Sequence, residues 1–134
     1  MNTSTDILPS ATDVLIVGAG PTGMALAICL QQAGVSHVIV DKLPHGLNTS
    51  RAGVIHAHTL EVLDRLGVSQ ELVRRGLIIQ NFTLRERDRA LLSIDFQDLP
   101  SRHHYILMLP QNETEDVLTR KLSALGGTIH RGIA

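Results

Sequence analysis

Three glycines and one carboxylate carry the chemistry this sequence can do: Gly18, Gly20, Gly23 and Asp41. The glycines stand in the spacing G-x-G-x-x-G, with Pro21 and Thr22 between the second and the third. Placed between a strand and a helix, that spacing makes a socket for a pyrophosphate. Gly18 lets the chain turn off the strand, Gly20 has no Cβ to hold phosphates away, and Gly23 lets the helix pack close. Pro21 suits the first helical turn, where a missing N–H forfeits no hydrogen bond. The N–H groups left unpaired there face the anion, aided by roughly half a unit of positive charge from the helix dipole. Asp41 follows near the spacing of about 20 residues expected of the acid that holds the adenosine ribose. Its carboxylate accepts both hydroxyl protons in charge-assisted bonds, together on the order of 1.5–3 kcal/mol. The same charge repels a 2′-phosphate, which disfavours NADP at this site; the adjacent Lys42 softens that preference without reversing it.

The flanking residues supply the elements that such a socket needs. Val14, Leu15, Ile16 and Val17 form a short apolar run, read as a buried strand. Residues 24–30 are helical in pattern, Gly34 closes that helix, and residues 37–41 read as a second buried strand ending at the carboxylate. An ordinary strand–helix–strand unit with packing glycines is the alternative reading. Cys29, the single cysteine, falls inside the apolar first helix and is expected to be a buried core thiol.

Composition narrows the class. A chain of 134 residues forms one modest domain, and a formal net charge of −1 supports neither nucleic-acid binding nor a polybasic membrane patch. The only aromatics are Phe82, Phe96 and Tyr105, so the core must be aliphatic. The first residues lack the basic and apolar regions of a signal peptide, and no apolar run reaches spanning length. A soluble, cytoplasmic protein with no membrane partner is expected. His56 with His58, and His103 with His104, do not complete a metal site, since residues two apart on a helix face apart and no ligand framework accompanies them.

Beyond Asp41 the pattern leaves a simple repeating dinucleotide fold. A polar loop with Pro44 and Gly46 leads to a predicted helix over residues 55–66, stopped by Gly67, and a shorter one over 68–75 with Ser69 as N-cap. Residues 78–85 and 90–96 alternate in polarity across a charged turn at 86–89, which predicts an antiparallel hairpin. A strand over 104–109, a helix from about Glu113 to Leu125 and a last strand from Thr128 complete the reading. Such a hairpin argues for a two-domain flavoprotein over an NAD-binding dehydrogenase. The fold class is α/β: a Rossmann-like βαβ unit with a parallel sheet, plus an antiparallel hairpin from the start of a substrate domain. The expected division is a flexible 1–12, a cofactor-binding 13–76, substrate-domain strands 77–109, and a returning helix and strand 110–134.

Several blocks occur in series: the glycine motif; Val38-Ile39-Val40-Asp41-Lys42; Ser50-Arg51-Ala52-Gly53; residues 58–67; and Pro110-Gln111-Asn112-Glu113-Thr114-Glu115. In this order they resemble the N-terminal part of the FAD-dependent aromatic hydroxylases, the class A flavoprotein monooxygenases. The resemblance covers nearly all the chain beyond the first dozen residues. It implies that Gly18, Gly20, Pro21, Thr22 and Gly23 surround the FAD pyrophosphate, with Asp41 and Lys42 at the adenosine ribose. It implies that Arg51 reaches the cofactor's phosphates or the flavin side of the cleft, which a planar guanidinium can do bidentately; a solvated loop cation is the other reading. Gln111 resembles a glutamine that contacts the cofactor, and equally suits a helix N-terminal cap.

The chemistry implied is NAD(P)H-dependent. NADPH or NADH, as a transient co-substrate, reduces FAD, and one oxygen atom of O₂ passes to an electron-rich aromatic substrate in a pocket closed to water. Family members run to several hundred residues, and two downstream fingerprints, around Asp-Gly and Gly-Asp, do not occur here. This short chain alone is therefore expected to lack hydroxylase turnover, and its uncovered apolar edges are expected to self-associate. A non-catalytic or vestigial nucleotide-binding or interaction module is the alternative.

Overall fold

The computed structural model describes residues 8–46 and 53–133. In chain order its elements are β1 (Val14–Val17), α1 (Pro21–Gln32), β2 (His37–Asp41), β3 (Val54–Ile55), α2 (Ala57–Leu66) and α3 (Ser69–Arg75). There follow β4 (Leu77–Ile79), β5 (Asn81–Glu86), β6 (Arg89–Asp95), β7 (Ile106–Met108), α4 (Gln111–Ala124) and β8 (Ile129–Arg131). Two compact units divide the chain, Met1–Thr49 with Glu115–Ala134 and Ser50–Thr114.

The first unit holds a parallel sheet in the order β1-β2-β8. Val14 pairs with His37 and Val17 with Val40, while Ile39 pairs with Ile129 and Asp41 with Arg131. Central β2 buries Val38, Ile39 and Val40 in succession, as a strand covered on both faces must. Met24, Ala27 and Ile28 of α1 and Val117, Leu118 and Leu122 of α4 are buried in the same unit. The thioether of Met24 accepts the Thr119 hydroxyl at 3.2 Å. Helix α1 stops where Gly34 takes a φ of 70°, with Gly34 N–H on the Gln31 carbonyl and Val35 N–H on that of Leu30. That pair of bonds is a Schellman closure, and it follows from the glycine. Cys29 departs from expectation: it lies exposed on α1, while the buried stripe runs through Met24, Ala27 and Ile28 at helical spacing.

The second unit has its own core. Ala57, Leu60, Leu63 and Leu66 recur every third residue of α2 and are buried together with Leu72 and Leu107. Strands β3, β7 and β4 make an antiparallel sheet, and β5 with β6 a separate hairpin. The helix expected from residue 55 begins at Ala57, because Val54 and Ile55 pair with Met108 and Leu107. The strand expected over 78–85 is two strands. Leu77, Ile78 and Ile79 pair with β7; polar Gln80 then breaks the run before β5 begins at Asn81. Ser69 is the first residue of α3, not its N-cap, and its hydroxyl donates to the Asp64 carboxylate. Helix α4 begins two residues early, with the Pro110 carbonyl accepting the N–H groups of Glu113 and Thr114.

Candidate functional site

At the C-terminal end of β1 the chain turns at Gly18, whose φ is 107° and whose N–H donates to the Val40 carbonyl of β2 at 2.8 Å. The turn is packed backbone against backbone. A Cβ on Gly23 would fall 2.0 Å from the Gly18 carbonyl oxygen. Gly20 is different: a Cβ there would meet nothing within 4 Å, so its missing side chain leaves open space beside the helix start.

Gly20 is the N-cap of α1 and Pro21 its first residue, with no side-chain cap and no acidic residue in the first turn. Met24 N–H makes the first helical bond, to the Gly20 carbonyl at 3.0 Å. The N–H groups of Gly20, Thr22 and Gly23 precede that bond and have no intrahelical acceptor. Together with the positive end of the dipole they form a ready site for a phosphate-type anion.

Asp41 closes β2 beside this turn. Its Oδ2 accepts the Ala19 N–H at 2.7 Å and its Oδ1 the Leu43 N–H at 2.8 Å. The Leu43 N–H first, then the Ala19 N–H and the charges of Arg131 and Lys42, outweigh partial burial and hold the carboxyl below its ordinary value. Lys42 is exposed. Arg131 was not singled out in the sequence, because its place beside Asp41 depends on the β2–β8 register, across some 90 residues of intervening chain. Gln111 is the first residue of α4, in the second unit. Arg51 lies outside the described residues.

The second unit carries a polar cluster that sequence reasoning missed. The His103 Nε2 lies 2.9 Å from Asp64 Oδ2, and its Nδ1 lies 3.1 Å from the Tyr105 hydroxyl. One turn earlier on α2, Glu61 accepts the Ser101 hydroxyl at 2.7 Å. Two carboxylates thus tie residues 101–103 to one helix. Ser69 donates to Asp64 and not to His103, so the cluster is no nucleophile relay. Its acids titrate accordingly: the Ser69 hydroxyl, and behind it His103, hold Asp64 below its ordinary value, while burial raises the Tyr105 phenol. The one sequence signal was the spacing of Glu61 and Asp64 on one face of α2. Among the described residues no helix is long and apolar enough to cross a membrane.

Comparison with known proteins agrees with the glycine turn. Residues 11–133 match the family described as FAD binding domain. Pentachlorophenol 4-monooxygenase of Sphingobium chlorophenolicum is 39% identical over 112 residues, covering 83% of this chain and 21% of the relative. A 6-methylpretetramide 4-monooxygenase of Streptomyces rimosus is 38% identical, covering 90% of this chain and 22% of its own length. Among solved structures, p-nitrophenol 4-monooxygenase PnpA of Pseudomonas putida DLL-E4 superposes with a TM-score of 0.84 at 27% identity, covering 89% of this chain and 31% of that one. This chain therefore spans between a fifth and a third of the proteins it resembles. On the match over residues 11–133, the chain belongs to the FAD-binding domain family of the flavin-dependent aromatic monooxygenases.

Proposed function

We propose that this chain supplies the pyrophosphate and adenosine end of the FAD site of an NAD(P)H-dependent monooxygenase that hydroxylates aromatic, phenolic compounds. The observation that carries the reading is the open glycine turn: three N–H groups without helical acceptors, space where a Gly20 side chain would stand, and Asp41 alongside. The donor set suits a pyrophosphate, which brings two negative charges and no protons of its own. Gly18, Gly20 and Gly23 shape the turn, Pro21 fixes its entry into α1, and the Gly20, Thr22 and Gly23 N–H groups donate. Asp41 has a free lone pair on each oxygen for the ribose hydroxyls, and Lys42 adds positive potential at the rim. Arg51 and Gln111 are further cofactor contacts on the strength of the resemblance alone.

Bound FAD supplies the electron transfer and oxygen activation; the residues named here bind and orient it. NADPH or NADH is the reductant in this reading. The chain covers only a part of its relatives' length. The test is a titration of FAD against the purified chain, followed by flavin fluorescence, with Gly20→Val and Asp41→Ala as comparisons. Saturable binding weakened by both substitutions is expected. A folded chain that binds no FAD would overturn the reading and favour a non-catalytic interaction module.

A further inference from the structure

The bonds made by Asp41 point to a second duty for that residue, one that does not involve the ribose. Ala19 sits between the first two glycines of the motif and is almost wholly buried, at 3% exposure. Its N–H points toward the end of β2 and is engaged by Asp41 Oδ2 at 2.7 Å. One residue earlier, Gly18 N–H ends on the Val40 carbonyl at 2.8 Å. Two successive N–H groups of the turn are thus anchored on two successive residues of β2, one on main chain and one on side chain. The second oxygen of Asp41 is itself held by Leu43 N–H at 2.8 Å, so the carboxylate cannot swing away.

This arrangement answers an electrostatic question. A carboxylate beside a pyrophosphate site repels the ligand the site is built for, and ribose hydroxyls could be held by a neutral acceptor. A neutral amide, however, has one acceptor atom, whereas the structure uses both oxygens on N–H donors. A carboxylate has about four lone-pair directions, two of which are taken by main chain and two of which remain. We propose that Asp41 is a positioning residue for the glycine turn: its carboxylate fixes the Gly18–Ala19 peptide, so that the N–H groups of Gly20, Thr22 and Gly23 converge on the phosphates before any ligand arrives. Arg131, its register partner on β8, and Lys42 keep positive charge near the carboxylate. The inference rests on the phosphate reading of the turn.

The experiment separates the two duties with a ligand that lacks one of them. ADP and 2′,3′-dideoxy-ADP are titrated against the full chain, its Asp41→Asn variant and its Gly20→Val variant by calorimetry. The dideoxy compound has no hydroxyl for Asp41 to hold. A positioning role predicts that Asp41→Asn weakens the dideoxy compound by about tenfold, since a charge-assisted bond to Ala19 is lost. In hydrogen exchange, the Ala19 amide should open in this variant while Ile16 and Ile39 stay protected, which a general loss of stability would not produce. If Asp41→Asn weakens ADP but leaves the dideoxy compound unchanged, Asp41 acts through the ribose only and the inference falls. If the wild-type chain binds neither compound, the phosphate reading itself has failed.

A measurement on the wild-type chain covers the case in which Asp41→Asn does not fold. The Ala19 and Leu43 amide resonances are followed as pH is lowered; both should move with one midpoint, below the ordinary carboxylate value. An Ala19 resonance that does not follow Leu43 would overturn the proposal without any variant.

Discussion

Strand β2 and the β5–β6 hairpin are both rich in large apolar side chains, yet one is buried and the other is not. Val38, Ile39 and Val40 are between 1% and 8% exposed. In the hairpin, Phe82, Leu84, Leu91, Leu92 and Ile94 are between 39% and 50% exposed. β2 has a strand on each side, and its consecutive apolar residues fill both faces. The hairpin forms its own two-stranded sheet and rests on ladder bonds and cross-strand pairs such as Phe82 with Ile94 and Leu84 with Leu92. The lesson is about where a site can be built. Asp41 ends β2, where packing fixes the backbone, and Gly18 is bonded to Val40 of the same strand; a two-stranded ribbon offers no comparable platform.

The sharpest test of that contrast is Ile39→Ala. The side chain is 1% exposed at the centre of the sheet, so its truncation should cost about 2–5 kcal/mol, read as a lowered urea midpoint. A loss below about 1 kcal/mol would mean that the sheet is no better anchored than the hairpin. Gly23→Ala comes next. Its new Cβ would stand 2.0 Å from the Gly18 oxygen, 3.2 Å from the Gly18 carbon and 3.3 Å from Ile16 Cγ2, so backbone must move. About 1–3 kcal/mol of stability should go, as for overpacking elsewhere, and FAD binding should fall more steeply than stability. Unchanged FAD affinity would show that the turn tolerates a displaced helix.

Asp64→Asn acts in the other unit and should be milder, at about 1 kcal/mol, because the groups it leaves are only partly buried. Its pH dependence has a definite sign. The Asp64 carboxyl is held below its ordinary value, first by the Ser69 hydroxyl and then by His103. Its contribution is therefore complete above the unfolded value of 3.8 and is lost as pH falls through the lower folded value. The wild-type advantage over Asp64→Asn should shrink only below pH 3.8. An advantage that disappears between pH 7 and 5 would assign the linkage to another group.

The same contrast explains what could be read in advance. Strands β1 and β2 coincide with the apolar runs 14–17 and 37–41. Strand β2 is covered on both faces, as its uninterrupted run implies. Strand β1 was expected to be buried and is not, since it is an edge strand that buries Ile16 and leaves Leu15 and Val17 exposed. The turn itself was legible because its glycines do local work. The break at Gln80 was not, since residues 77–79 and 81–86 belong to different sheets and only the pairing partners reveal that. Asp41 was legible as an acid near the turn, but its bonds to Ala19 and Leu43 were not, and neither was Arg131 across from it. The Ala19 bond and the place of Arg131 depend on how β2 pairs with its neighbours, which no local pattern encodes. Cys29 was misjudged for a related reason: α1 is apolar nearly all round, so its sequence does not say which stripe faces the sheet.

The smallest effect belongs to the hairpin itself. Leu92 stands opposite Leu84, and between Leu84 and Arg85 the pairing slips by one residue, so that Leu91 is the extra residue of a bulge. Leu92 is 49% exposed, so Leu92→Thr removes little burial and puts a β-branched side chain, favoured in strands, on the ladder. Its cost should be about 0.5 kcal/mol, near the limit of a urea titration. A loss several times larger would show that the apolar hairpin face is covered in solution, and that β5 and β6 are held by packing after all. The contrast with β2 would then describe the isolated chain and not its working state.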